Sequence, residues 1–355
     1  MNTDQTKLEL VSLLDEVGEN EPSIILMAEF DNGNSYLAKK GLANIANETQ
    51  VDENSVFDIA SLSKQFTAAC IYILQSQNLL GVEESIKKYL PELPECTNGI
   101  KIKNLINHTS GIPDYIDIAV EIGIKYSDHL DNEQTLEILA KTKLADYPSG
   151  SRFSYSNSNY ILLSLIVERV SGRSLSSFAS DNIFTPLGMS KTFYNQTYPL
   201  INPSVQGYSK ESSTNDYSPV QCIWTQTGDG AVFSSVGDLI KWGKNLSLDT
   251  KLPADVVRNL LTPMPKTFLD EPIGNYTPYS AGLSVQEDFD QQSVLHSGSW
   301  IGFSSFFVRH LKSGLTLAVL SNREDCNTGY IAYKASELLL NKHLGLYDQQ
   351  TDLGY

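Results

Sequence analysis

The order of hydrophobic patterns along the chain constrains its fold more than any other feature. Strand-like stretches cluster at the two ends, and helix-like stretches fill the middle. Near the start, Ser23 to Phe30 is rich in Ile and Leu, Asp31-Asn32-Gly33-Asn34 is a hairpin signal, and Ser35 to Ala43 returns as a second strand. Near the end, Ser280 to Val285, Ser293 to His296, Ile301 to Val308 and Leu315 to Leu320 read as successive strands, with a turn at His310 to Gly314. Leu8, Leu10, Val11, Leu13 and Leu14 predict a helix before the first strand, and Ile331 to Leu340 one after the last. Between them, Ile102 to Ile106, Thr135 to Leu144 and Tyr160 to Val170 carry helical periodicity, punctuated by Pro91, Pro94, Pro113, Pro148 and Pro186. The simplest way for both ends to share one sheet is to set the middle aside. The expected fold is α/β (α+β): an antiparallel sheet flanked by helices, built from residues 1–81 and 228–355, with a mainly helical lobe, 82–227, inserted. The cleft between the lobes is the natural place for a ligand. The polar, irregular stretch 195–227 is expected to border it as loop or hairpin.

Composition excludes several classes. The chain has 355 residues, 41% hydrophobic and 19% charged, which is a globular balance. Its net charge of −16 argues against nucleic acid and anionic membrane as partners. No basic start leads into an apolar core, and no apolar run is long enough to span a bilayer. A cytoplasmic location is expected, or an extracytoplasmic one if a leader has been removed. Cys70, Cys96, Cys222 and Cys326 follow no metal spacing, and the five histidines form no His-Glu-x-x-His motif. Neither metal nor cofactor is expected, and the sequence leaves the oligomeric state open.

Ser61 and Lys64 stand three apart at the start of a run in which Phe66, Ala69, Cys70 and Ile73 mark one helical face. That spacing places the amine one turn from the hydroxyl. A serine hydroxyl becomes a nucleophile when a neighbouring base takes its proton, and a helix start offers N–H groups to a developing oxyanion. The same spacing recurs at Ser85 and Lys88 inside an alternating-charge patch, where it reads as solvated surface. Two further segments carry suitable partners. Tyr155 and Asn157, two residues apart before a helix, offer a phenol that can exchange a proton with a neighbouring amine and a carboxamide that can hold the amine or a carbonyl. His296-Ser297-Gly298-Ser299 closes one strand before Trp300 opens the next. Gly298 would let a ligand backbone approach an edge strand, the Ser299 N–H would face that of Ser61, and His296 would add a polar group that is cationic when protonated. Each segment also has a plain structural reading: a polar helix cap for the first, a tight turn for the second.

Together, Ser61-x-x-Lys64, Tyr155-x-Asn157 and His296-Ser297-Gly298 resemble the three ordered motifs of serine β-lactamases and penicillin-recognising peptidases. The tyrosine resembles the class C branch, which includes D-alanyl-D-alanine carboxypeptidases, aminopeptidases, esterases and acyltransferases. Leu105 to Ile112, Pro186-Leu187-Gly188-Met189 and Gly228 to Ser235 extend the likeness over about residues 20–340. The resemblance implies a Ser61 nucleophile, a Lys64–Tyr155 proton-transfer pair and an orienting Asn157. It also implies backbone donors at Ser61 and Ser299 for the oxyanion, and an edge strand opened by Gly298. His108 is expected to be structural, and Trp224 and Trp300 either line the pocket or simply pack. His296 stands where the family usually has lysine, so grip on a substrate carboxylate should weaken. The implied substrate is a small-molecule or short-peptide ester, amide or D-amino-acid peptide. Transfer of the acyl group to an alcohol or amine, and a non-enzymatic sensor, are the alternatives.

Overall fold

Strands covered on both faces read as continuous apolar runs, and the central strands here are of that kind. The computed structural model describes residues 3–143, 147–197, 205–247, 250–263 and 278–343. Six strands form one antiparallel sheet: β1 (Ile24–Phe30), β2 (Ser35–Lys40), β3 (Ser284–Asp288), β4 (Gln291–Trp300), β5 (Phe303–His310) and β6 (Leu315–Ser321), in the spatial order β3-β4-β5-β6-β1-β2. The two chain ends meet along β1 and β6, where Ile24 opposes Ser321 and Phe30 opposes Leu315.

Alternation assigns each residue to a face. Ile24, Leu26, Ala28 and Phe30 join Leu315, Leu317 and Val319 in one core, which also holds Leu10 and Leu14 from the N-terminal segment and Ile331, Ala335 and Leu339 from the last helix. Ile25, Ala318 and Leu320 face the other way, into the larger core. There they meet the helices α1 (Lys64–Ser76), α2 (Asn157–Ser171) and α3 (Val236–Asn245). Nearly every side chain from Lys64 to Leu74 is buried, so α1 is the central helix of the molecule. Phe66 lies 4.8 Å from Trp242 and 5.3 Å from Phe184 between ring centroids. Removing a ring so enclosed costs about 3–5 kcal/mol.

Three expectations about local structure change. Helix α1 stops at Ser76, short of Gly81, and Ser61 lies just before it on a 3-10 turn, Ala60–Ser63. β4 does not end at His296 but runs through Ser299 to Trp300, and the turn falls on Ile301-Gly302, where Gly302 has φ of 78°. The helix expected from Thr135 to Leu144 covers Asn132–Leu139, and Leu144 lies outside the described residues. In 195–227, the described part includes a hairpin of Tyr208–Lys210 with Tyr217–Pro219.

Candidate active site

Ser61 is held by an unusual turn. Ala60 has φ of 49°, a left-handed conformation that costs a non-glycine residue about 1–2 kcal/mol. Hydrogen bonds fix it from three directions. Ala60 N–H donates to Asp58 Oδ1 at 2.8 Å, Ser63 Oγ donates to Ala60 O at 2.6 Å, and Ser305 Oγ donates to Ile59 O at 2.8 Å. Gly298 explains why this turn can sit so close to the sheet. A Cβ there would stand 2.5 Å from Ile59 O and 2.3 Å from Ser305 Oγ. The glycine therefore admits the protein's own backbone ahead of Ser61, rather than serving ligand approach alone as the sequence suggested.

The Lys64 amine meets three oxygens: Ser61 Oγ at 2.9 Å, Asn157 Oδ1 at 2.8 Å and the Asp229 carbonyl at 2.8 Å. Lys64 is fully buried. Asn157 is the first residue of α2, whose Ser156 makes no side-chain cap. Asp114 caps it from a distant loop instead, accepting from Asn157 N and Asn157 Nδ2, both at 2.8 Å, while its other oxygen accepts from Ile116 N at 3.0 Å. A carboxylate at a helix N-terminus is favourable in itself. Here it also fixes the amide, because Nδ2 turned to Asp114 leaves Oδ1 facing Lys64.

Tyr155 completes the cluster, its hydroxyl donating to Ser61 Oγ at 3.1 Å. Its ring stacks on His108, centroids 4.3 Å apart. His108 is buried, and its Nδ1 accepts from Ser156 N–H at 3.1 Å, a partner 48 residues away rather than within its own loop. Burial, helped by the nearby Lys64 charge, holds His108 well below the usual histidine range, so it is a neutral platform.

His296 is a buried neutral ring, its pKa pushed down to about 4 by burial first and the Lys64 charge second. Its Nε2 meets the Tyr279 hydroxyl at 3.1 Å. Tyr279 and Asp114 were not singled out from the sequence. Asp114 follows Gly111-Ile112-Pro113 and precedes a helix, which is a cap signal, whereas nothing local marks Tyr279.

β3 pairs with β4 only as far as Leu295, so from His296 to Trp300 the ladder partner among the described residues is β5. Beyond this segment opens a cavity of about 370 Å³, with Ser61, Asn157 and Ser299 on its wall beside Trp224 and Trp300. Ser61, Lys64, Tyr155 and Asn157 thus meet at one point, Ser299 lines the cavity with Ser61 and Asn157, Gly298 packs against Ile59 and Ala60 just ahead of Ser61, and the His296 ring lies 6.3 Å from that of Tyr155.

A family model described as Beta-lactamase matches residues 21–339. Penicillin-binding protein 4* of Bacillus subtilis (strain 168) is 30% identical over 318 residues, which cover 84% of this chain and 68% of that protein. Protein flp of Staphylococcus aureus (strain MW2) is 30% identical over 298 residues, 82% of this chain and 58% of that one. This chain therefore spans less than two thirds of flp. Among solved structures, the octameric penicillin-binding protein homologue from Pyrococcus abyssi aligns with a TM-score of 0.81 at 24% identity, over 96% of this chain and 78% of that one. The D-amino acid amidase of Ochrobactrum anthropi SV3, complexed with D-phenylalanine, aligns at 0.78 and 20% identity, over 96% of this chain and all (100%) of that one. At these identities the structural likenesses speak for the fold.

Proposed function

The chain belongs to the beta-lactamase family, whose fold is that of serine hydrolases, and we propose that it cleaves an ester, an amide or a short D-amino-acid peptide through an acyl-enzyme on Ser61. The observation that carries this reading is the surroundings of the Lys64 amine. Asn157 Oδ1 and the Asp229 carbonyl can only accept, so each takes one N–H. The position that remains points at Ser61 Oγ. The resting ammonium must first lose a proton to solvent; that position is then a lone pair, and it receives the Ser61 proton as Oγ attacks the substrate carbonyl. Tyr155, within 3.1 Å of the same oxygen and 39% exposed, is placed to hand a proton to the leaving group on the open side. In the second half-reaction water attacks the acyl-enzyme, Tyr155 takes its proton, and Ser61 Oγ recovers one from Lys64. The backbone N–H groups of Ser61 and Ser299 receive the oxyanion, each donor worth about 3 kcal/mol.

The neutral His296 supports the same choice of substrate. A ring without charge gives a β-lactam or C-terminal carboxylate no ionic partner. Uncharged carbonyl substrates suit the site better. Intact mass spectrometry with β-lactams, p-nitrophenyl esters and D-alanyl peptides tests the reading. The expected result is an acyl adduct that maps to Ser61 and turns over. An adduct on another side chain, or none from any member of the panel, overturns it.

A further inference from the structure

The two carbonyls that hold the Lys64 amine are fixed in different ways. Asn157 Oδ1 belongs to a side chain, turned by Asp114. The Asp229 carbonyl belongs to the backbone of an irregular segment, and such a carbonyl points wherever its peptide planes are held.

The segment Thr227-Gly228-Asp229 is clamped residue by residue. Thr227 N–H donates to Asn132 Oδ1 at 2.8 Å, and Asn132 Nδ2 donates back to Thr227 O at 3.2 Å. Gly228 has φ of 125°, and a Cβ there would run into Tyr160 O of α2, so the close approach requires glycine. The Gly228 carbonyl accepts from Thr67 Oγ1 at 2.7 Å. The Asp229 side chain accepts from the Tyr115 hydroxyl at 3.1 Å.

Thr67 differs from the other clamps because it stands on α1, the helix that carries Lys64, and is fully buried there. Its proton can be placed by counting. A carbonyl only accepts, so the Thr67 hydroxyl gives its one hydrogen to Gly228 O. The Tyr194 hydroxyl, 2.8 Å from Thr67 Oγ1, must then be the donor between the two; its other acceptor, Ser63 O, is farther away at 3.4 Å. Burial holds Tyr194 well above the usual tyrosine range, so this donor keeps its proton. The result is a directed chain from Tyr194 to Thr67 to Gly228, each bond polarising the next. It ends one peptide away from the carbonyl that meets Lys64.

We propose that Thr67 is a positioning residue for the reaction at Ser61: by holding the Gly228 carbonyl it aims the Asp229 carbonyl at Lys64, which keeps the remaining position of the amine on Ser61 Oγ. The inference rests on the Ser61 acyl-enzyme reading and adds a residue to it. Thr67 acts through the backbone, since its hydroxyl bonds run to Tyr194 and Gly228 and not to Ser61 or the Lys64 amine.

A single oxygen tests this. Thr67→Ser and Thr67→Ala differ by the hydroxyl alone, and Thr67→Val keeps the shape without it. With a p-nitrophenyl ester that the unaltered protein turns over, Thr67→Ser should keep kcat within about threefold, while Thr67→Ala and Thr67→Val should each lose about tenfold or more with KM changed by less than about twofold. A packing role alone would rank them otherwise, with Thr67→Val, which fills the site, the most active. Should Thr67→Val fail to fold, Thr67→Ser against Thr67→Ala still reads the oxygen. Equal kcat in Thr67→Ser and Thr67→Ala, a Thr67→Val protein as active as the unaltered one, or a loss confined to KM overturns the inference. A crystal structure of Thr67→Ala gives a readout without chemistry: the Asp229 carbonyl should stand beyond hydrogen-bond reach of Lys64 Nζ, more than about 3.5 Å away. A contact kept at its present 2.8 Å overturns the inference as well. That distance can be read whether or not Ser61 is acylated, so a failure of the positioning role and a failure of the acyl-enzyme reading are told apart.

Discussion

The pattern Ser-x-x-Lys occurs twice in this chain, and the two copies have different fates. At Ser61 and Lys64 the hydroxyl and amine are 2.9 Å apart, and the lysine is fully buried. At Ser85 and Lys88 the serine caps a 3-10 turn and donates to Asn98 O at 3.0 Å, while the amine binds Glu84 at 2.7 Å with the lysine side chain 56% exposed. Spacing offers the same encounter in both places. The surface lysine finds one exposed carboxylate, that of Glu84. The buried one finds two fixed carbonyls, which leave the serine as its third neighbour. The difference teaches that the motif is made by the acceptors around the amine, not by the interval between the residues.

The sharpest way to break this comparison is to remove each serine. Ser61→Ala should lower turnover of whatever ester acylates the protein by at least about 10³-fold and abolish the adduct. Ser85→Ala should change neither by more than about twofold. If Ser85→Ala is the damaging change, the contrast fails. The lysines come next. Lys64→Ala should cost on the order of 10² or more in kcat, and Tyr155→Phe a similar amount, as expected for groups that move protons. Lys88→Ala should leave kcat where it was.

A smaller effect probes the carbonyls themselves. Asp114 touches neither Ser61 nor Lys64 but turns the Asn157 amide toward the amine. Asp114→Ala should reduce kcat about tenfold with KM little changed, because it misplaces an orienting residue. Asp114→Asn keeps a carbonyl oxygen that can accept from Asn157 and should lose less. Equal loss in both variants, or loss confined to KM, would make Asp114 a structural cap and nothing more.

The residues that meet at Ser61 were readable because they lie in short segments with local signatures: a hydroxyl and amine at helical spacing, a phenol and amide before a helix. The sheet was readable for a related reason. Ile24 to Phe30 and Leu315 to Ser321 are buried on both faces, and their apolar runs stand out from the rest of the chain. What escaped notice depends on contacts between distant segments. Tyr279 matters through a histidine 17 positions away, and Asp114 through an asparagine 43 away. The turn after β4 was misplaced because His-Ser-Gly-Ser carries turn composition. Gly298 is there to clear Ile59 and Ala60, a role that only the folded chain reveals.

The finest test asks whether the buried amine is felt by its surroundings as the exposed one is not. Lys64 is one of the causes that hold His296 near 4, second to burial. Lys64→Met removes the positive charge and leaves the burial. The imidazolium then loses a repulsion, so the His296 pKa should rise while staying below its ordinary 6.5. The sign extends to stability. From about 6.5 down to 4 the unfolded chain binds a proton at His296 that the folded chain refuses, so this residue removes stability as pH falls through that window. Raising the folded value narrows the window, and the loss attributable to His296 shrinks. Histidine titration by NMR reads the first effect directly. Lys88→Met should move nothing at His296, since that amine is bound to Glu84 at the surface. A His296 value unchanged by Lys64→Met would mean that burial alone keeps the ring neutral, and that the Lys64 charge does not reach the third motif.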